Sequence, residues 1–171
     1  MSSYNRKRIL GSSFEPKQHH LPGYDYSKPG IYHVTIHCHK LAPPLSDIDH
    51  VTAQVIFSPE GKSVCEAIQK VPLYFPFVQI DCYAVMPTHI HILFIVGEQP
   101  QPQFGHTRVR LGDIVGKLKG LATYQTRRAG TFDFSWQSDF CDTIIWNRSQ
   151  YEVARQYIHD NPLCWLENHA E

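Results

Sequence analysis

The chain of 171 residues carries no net formal charge, because 16 Lys and Arg side chains are balanced by 16 Asp and Glu. A globally basic balance is therefore absent, and any phosphate-binding surface must be local. No apolar run approaches the ~20 residues needed to span a bilayer. The first ten residues include Arg6, Lys7 and Arg8, but no apolar h-region follows them, so no secretory leader is expected. CxxC pairs are also missing. Cys38, Cys65, Cys82, Cys141 and Cys164 are odd in number and widely spaced, which argues for reduced thiols in a cytoplasm and against a disulfide framework or a zinc knuckle. No internal repeat and no second domain are visible. The length suits one domain over 1–171, with residues 1–29 as a polar, turn-rich lead-in.

What is present is periodicity. Ile31–Cys38 alternates, with Ile31, His33, Thr35 and His37 on one face and Tyr32, Val34, Ile36 and Cys38 on the other, and reads as a strand. Val51–Phe57 reads as a second strand, closed by a turn at Pro59-Glu60-Gly61. Lys62–Lys70 has helical spacing and is expected to end at Pro72 and Pro76. Val78–Met86 and His89–Val96 are separated only by Pro87-Thr88, a spacing for a tight antiparallel hairpin. Leu111–Arg128 is the strongest helix, with Ile114, Val115, Leu118, Leu121 and Ala122 on one side. Trp136–Trp146 contains a possible strand. A last helix is expected over Gln150–Asp160, capped by Asn147 or Ser149 and terminated by Pro162. The pattern is α+β, a small antiparallel sheet with helices packed on one side.

Histidine is abundant, at 11 residues. Residues two apart in a strand share a face, so His89 and His91 project side by side while Ile90 and Ile92 turn to the core. Two imidazoles on one strand form a half-site for a divalent cation. They are too few for a closed structural zinc site, and the open positions suit water and a phosphate oxygen. The plainer alternative is two polar side chains on a solvated strand. HIT-type nucleotide hydrolases need a third histidine where Leu93 stands, which argues against them. On the last helix, Tyr157 and Asn161 are four apart and share a face. A tyrosine hydroxyl there can attack phosphorus, and the Asn161 amide oxygen can complete a metal shell. For a lone tyrosine on an amphipathic helix the alternative is simple packing.

Several segments together resemble a known family. Tyr24-Asp25-Tyr26-Ser27 precedes Gly30-Ile31-Tyr32-His33-Val34-Thr35-Ile36; Tyr83-Ala84-Val85-Met86-Pro87-Thr88-His89-Ile90-His91 follows. Then come Gly116-Lys117-Leu118-Lys119, Trp136-Gln137 and Tyr157-Ile158-His159-Asp160-Asn161-Pro162-Leu163. In order and spacing, over roughly residues 20–166, these resemble the single-tyrosine HUH transposases, and among them the REP-associated tyrosine transposases. The resemblance implies a ferredoxin-like (RRM-like) antiparallel sheet with a central histidine strand and a C-terminal helix carrying the nucleophile. It implies Mg²⁺ or Mn²⁺ on His89 and His91, with Asn161 as third ligand. It implies Tyr157 as nucleophile, giving a 5′-phosphotyrosine and a free 3′-OH. Thr88 stands where Asn is common and Cys164 where a basic residue is frequent; neither is expected to touch the chemistry.

The expected substrate is single-stranded or hairpin DNA, nicked and rejoined in transposition. Residues 106–130 hold Arg108, Arg110, Lys117, Lys119, Arg127 and Arg128 against a single acid, Asp113, and are read as phosphate contacts. Arg6, Lys7 and Arg8, with Lys17, offer a second contact. Tyr124, Phe132, Phe134 and Trp136 are candidates for base stacking, with core packing as the alternative for Trp136. Two other readings remain open: a non-cleaving hairpin-binding protein derived from a transposase, and a phosphoesterase acting on small nucleotides. Both a monomer and a homodimer fit the sequence.

Overall fold

The computed structural model describes residues 20–101 and 107–169. Arg6, Lys7, Arg8 and Lys17 lie outside them. Six strands and three helices are present among the described residues: β1 Gly30–His37, β2 Ser46–Ile48, β3 Val55–Phe57, α1 Pro59–Tyr74, β4 Val78–Val85, β5 His89–Val96, α2 Leu111–Arg128, β6 Cys141–Ile145 and α3 Arg148–His169. Four strands form one antiparallel sheet in the order β4-β5-β1-β6, and β2 pairs with β3 separately. β1–α1–β4 and β5–α2–β6 are two interleaved split βαβ units, the ferredoxin-like arrangement.

The alternation of β1 and β5 decides what each face of the sheet becomes. Tyr32, Val34 and Ile36 on β1 and Ile90, Ile92 and Phe94 on β5 are fully buried. They meet Val64, Ala67, Ile68 and Val71 of α1 and Leu111, Ile114, Val115, Leu118 and Ala122 of α2 in the main core. Each such aliphatic side chain contributes about 1.5–3 kcal/mol of hydrophobic burial. The other face is not left open, as a one-sided arrangement requires. α3 packs there on a small cluster of Leu93, Ile145, Ala154 and Ile158.

Some element boundaries differ from those the pattern predicts. Ser58-Pro59-Glu60-Gly61 opens α1 and does not close a hairpin: Ser58 is the N-cap, accepting from Gly61 N–H, and Pro59 occupies the first turn, where its missing N–H costs nothing. Pro72 lies inside the last turn of α1, and the Phe75 N–H still reaches the Val71 carbonyl. The residues before β3 form a turn, with Asp49 Oδ1 accepting from Val51 N, Thr52 N and the Thr52 hydroxyl, and Ala53 at a φ of 56°. Local side-chain bonding of this kind competes with strand pairing. Only Val55–Phe57 pairs, with Ser46–Ile48. The expected strand within Trp136–Trp146 is Cys141–Ile145, with a single bridge from Trp136 to Cys38. α3 does not stop at Pro162; it runs on to His169, where the Asn168 amide donates to Cys164 O and His169 Nδ1 bonds Trp165 O. Asn147 does cap it, accepting from Gln150 N.

Gly61 marks a tight joint. A Cβ built there stands 1.9 Å from the Leu45 carbonyl oxygen, which already accepts Ser58 N–H and the Ser58 hydroxyl at 3.0 Å each. Gly61→Ala is expected to destabilise the fold by about 2–3 kcal/mol through overpacking against backbone, seen as a lower urea midpoint with unchanged m-value. No helix among the described residues is long and apolar enough to cross a membrane.

Candidate active site

The α3-facing side of the sheet changes character along its length. Antiparallel register sets Ile31 opposite Ile95, His33 opposite Leu93, Thr35 opposite His91 and His37 opposite His89. One end is therefore apolar and holds the first half of α3. The other end is a group of imidazoles, and the second half of α3 lies over it. Between them is a cleft of about 250 Å³ lined by Thr35, His37, His89, His91, Tyr157, Asn161, Cys164, Trp165, Asn168 and His169.

The hairpin turn sets where β5 begins. Met86 N–H bonds His89 O, and the intervening Pro87 and Thr88 carbonyls accept from Leu45 N and Cys38 N. His89 Nε2 and His91 Nε2 stand 3.1 Å apart. Two ligand nitrogens about 2.1 Å from one octahedral cation stand about 3 Å apart, so this spacing suits a shared ion. Two inward lone pairs would otherwise repel, and a shared proton or a cation relieves that. The outer nitrogens are engaged. His91 Nδ1 is 2.9 Å from the Thr35 hydroxyl and 3.2 Å from His33 Nε2, and His89 Nδ1 is 3.2 Å from the Thr88 hydroxyl. When His91 Nδ1–H donates to Thr35 Oγ1, the Nε2 lone pair is left facing the cleft, the usual role of a partner behind a ligating histidine. Thr88 therefore does touch the proposed chemistry, and Cys164 lines the cleft, contrary to the sequence expectation for both.

Burial keeps these imidazoles neutral. It lowers His33 and His89 to about 4, with the nearby His37 adding to the effect at His89. Burial, reinforced by His33, His89 and His37, holds His91 well below the ordinary value, and burial also lowers His37. Neutral imidazoles are metal ligands, whereas protonated ones are not. The same shifts predict a pH dependence of stability. In the unfolded chain these histidines take up protons near pH 6.5, while in the folded chain His33 and His89 do so only near 4. The unfolded state binds more protons between those values, so their contribution is complete above pH 6.5 and is lost as pH falls toward 4. Each histidine contributes a slope of at most about 1.4 kcal/mol per pH unit. In EDTA, the urea midpoint should fall steadily from pH 6.5 to 5; an unchanged midpoint over that range would contradict the burial of the pair.

Tyr157 stands edge-on over the imidazoles, its ring centroid 5.2 Å from His91 and 5.7 Å from His33. Asn161, one turn on, is buried at 6% exposure and lines the same cleft. Among the described residues no group of three or more His, Cys, Asp and Glu is arranged to hold a metal ion. A cation here would rely on the two imidazoles and the Asn161 amide oxygen, a donor set with coordination positions to spare. That set fits a hard, mostly water- and phosphate-coordinated cation better than a closed zinc site. Tyr151 and Tyr124 do not line the cleft. The Tyr151 hydroxyl donates to Asp81 at 2.8 Å, and Tyr124 is exposed on α2, behind the sheet.

The basic segment is separated from the cleft. α2 covers the opposite face of the sheet, so Arg110, Lys117, Lys119, Arg127 and Arg128 are not brought to the histidines. Lys119 Nζ donates to the carbonyls of Gln137, Ser138 and Asp139, anchoring the loop before β6. Lys117 lies 4.3 Å above the Tyr74 ring, and Arg128 5.8 Å from that of Tyr124. Arg108, Arg127 and Arg128 are exposed. Phe134 is core, and Trp136 packs against it with its indole N–H on Lys119 O, whereas Tyr124 and Phe132 are exposed.

The residues not anticipated at the cleft are His33, which backs His91, with Thr35 and His37 on β1, and Cys164, Trp165, Asn168 and His169 beyond Pro162. The alternation of β1 already carries the first three on one face; their proximity to His89 and His91 depends on pairing between residues 52 or more positions apart. Trp165 stacks on His169 with centroids 4.0 Å apart and stands 5.8 Å from His89.

A ferredoxin-like sheet presenting a two-histidine strand to a tyrosine-bearing helix is the class that fold and site define. No family model matches the chain. It is similar to an uncharacterized protein of Haemophilus influenzae (strain ATCC 51907 / DSM 11121 / KW20 / Rd), 28% identical over 163 residues, covering 86% of this chain and 88% of that relative. Among solved structures, it shares its fold with a REP-associated tyrosine transposase bound to a REP hairpin, at a TM-score of 0.59 and 21% identity over 86% of this chain and 74% of the other. A putative transposase from Deinococcus radiodurans is also similar, at a TM-score of 0.47 and 19% identity over 84% of this chain and 97% of the other.

Proposed function

We propose that this protein is a metal-dependent, single-tyrosine DNA nicking and strand-transfer enzyme of the transposase type. One observation carries the reading: Tyr157, Asn161 and the converging Nε2 atoms of His89 and His91 share one small cleft. A bound Mg²⁺ or Mn²⁺, held by His89, His91 and Asn161, would polarise the scissile phosphate and stabilise the charge that develops on it. The Tyr157 oxygen attacks phosphorus in line, the phosphorus–O3′ bond breaks, and the DNA is left with a 3′-OH and a 5′-phosphate joined to Tyr157. Rejoining is the reverse: a 3′-OH attacks the phosphotyrosine and the phenol leaves. Thr35 and Thr88 keep the imidazoles oriented throughout, and Tyr157 packs partly against the apolar cluster of Leu93, Ile145, Ala154 and Ile158.

The substrate in this reading is single-stranded DNA or the foot of a hairpin, where the phosphate is open to in-line approach. The fold shared with a hairpin-bound transposase supports that choice. The test is a labelled hairpin oligonucleotide with single-stranded flanks, taken from palindromic repeats beside the gene. With Mg²⁺ or Mn²⁺ it should leave a covalent adduct that survives denaturation and maps to the peptide containing Tyr157, and EDTA should prevent it. Tight, salt-dependent hairpin binding with no adduct would make the protein a binding module. Hydrolysis of small nucleotide esters without oligonucleotide binding would make it a phosphoesterase.

A further inference from the structure

The helix that carries Tyr157 is lightly held. Its apolar contact with the sheet is built on Ala154 and Ile158 against Leu93 and Ile145. Beside that contact is a polar strap. The Tyr151 hydroxyl donates to Asp81 Oδ1 at 2.8 Å, and Arg155 Nε lies 2.9 Å from Asp81 Oδ2 in an ion pair without hydrogen-bond alignment. Asp81 can take part because β4 is irregular at that point. The register passes from Ile80 opposite Phe94 to Cys82 opposite Leu93, leaving Asp81 as the extra residue of a bulge. Ile80 faces the main core, while Cys82 packs with the α3 cluster. A regular strand would alternate and carry Cys82 back to the core side. The bulge instead delivers two consecutive side chains, Asp81 and Cys82, to the helix.

We propose that Asp81 is a positioning residue that sets the rotation of α3, and with it the place of Tyr157 over His91. At 100° per residue, Ala154 and Ile158 lie on the middle of the buried stripe. Tyr151 and Arg155 flank it on one side, and Tyr157 and Asn161 on the other. Ala154 and Ile158 are the only apolar side chains of this stripe that are fully buried among the described residues, with Tyr151, Val153 and Tyr157 packed partly against the same cluster, and the strap opposes roll from the flank away from the cleft. With a side-chain radius of about 6 Å, a 10° roll moves a helix surface atom by about 1 Å. A misplacement of that size can slow an in-line reaction about 100-fold. Arg155 is 53% exposed against 15% for Asp81, so replacing Asp81 by a neutral side chain leaves the freed guanidinium in water at little cost to overall stability.

This inference rests on Tyr157 as nucleophile, and its test separates the two. In the full chain, Asp81→Asn keeps the shape and removes the charge. The thermal midpoint should move by no more than about 2 °C and hairpin affinity by less than about 2-fold. The single-turnover rate of adduct formation at saturating hairpin should fall roughly 10–100-fold. In the DNA-free protein the NOE between the Tyr157 ring and the His91 imidazole should weaken. The charge-swapped pair Asp81→Arg with Arg155→Asp should recover most of both signals. Should Asp81→Asn not fold, Arg155→Gln, on the more exposed arm, carries the same test. A wild-type NOE in these variants overturns the proposal, as does a wild-type rate. Absence of any adduct on the wild type overturns the nuclease reading instead, and the NOE still decides whether Asp81 positions the helix.

Discussion

Tyr157→Phe is expected to abolish the covalent DNA adduct, a loss of at least about 10³-fold, while leaving the fold and hairpin affinity unchanged within about 2-fold. The substitution removes one oxygen. The edge-on contacts of the ring with His91 and His33 are made by carbon and persist in phenylalanine. The apolar neighbours of α3 are untouched, so thermal stability should not move by more than about 1 kcal/mol. What disappears is the atom that bonds to phosphorus. The informative comparison is with Tyr151→Phe and Tyr124→Phe. Tyr151 is bound to Asp81 and Tyr124 is behind the sheet, so neither reaches the cleft. Tyr124→Phe should keep the adduct in full, and Tyr151→Phe should keep it at a reduced rate, because one arm of the strap is lost. An adduct that persists on Tyr157→Phe would remove the catalytic role from this cleft altogether.

His89→Ala and His91→Ala should both eliminate cleavage, by roughly 10²–10³-fold or more, but they should differ in stability. His91 is 3% exposed, and its Nδ1 engages the Thr35 hydroxyl. Truncation there leaves a cavity and a buried hydroxyl with one partner fewer, at a cost of about 2–4 kcal/mol. His89 is at the mouth of the cleft beside Trp165 and His37, only partly buried, and its loss should cost about 1 kcal/mol. Mn²⁺ titration followed by electron paramagnetic resonance gives a readout independent of DNA: one tight site on the wild type, and at least 10-fold weaker binding in both variants. Hairpin binding in His89→Ala should remain within a few-fold of wild type. Loss of cleavage with Mn²⁺ binding intact would assign the pair a role other than metal ligation.

Much of this was legible from local pattern. β5 and α2 begin and end where their periodicity predicts, because each has a strong apolar face bounded by a turn residue or a cap. His89 and His91 share a face as a consequence of the two-residue period of a strand, and Tyr157 and Asn161 do so from the helical turn. These relations hold within one element and need no knowledge of its neighbours. The proline signals were less reliable. Pro162 removes a helical N–H but does not end α3, since the turns beyond it are held by Trp165 against His89 and by side-chain bonds to the last carbonyls. The continued helix is what brings Trp165, Asn168 and His169 to the cleft.

The chain by itself therefore determined which side chains are neighbours along an element: the histidine pair, the tyrosine with its asparagine, and the two faces of β1. Only the tertiary structure decided what those faces meet. The register of β1 with β5 placed Thr35 and His33 behind His91, the crossover of α2 took the basic segment to the far side of the sheet, and a bulge at Asp81 tied the tyrosine helix to an edge strand. Each of these depends on contacts between residues far apart in sequence, selected by burial of the whole core, and no local period encodes them.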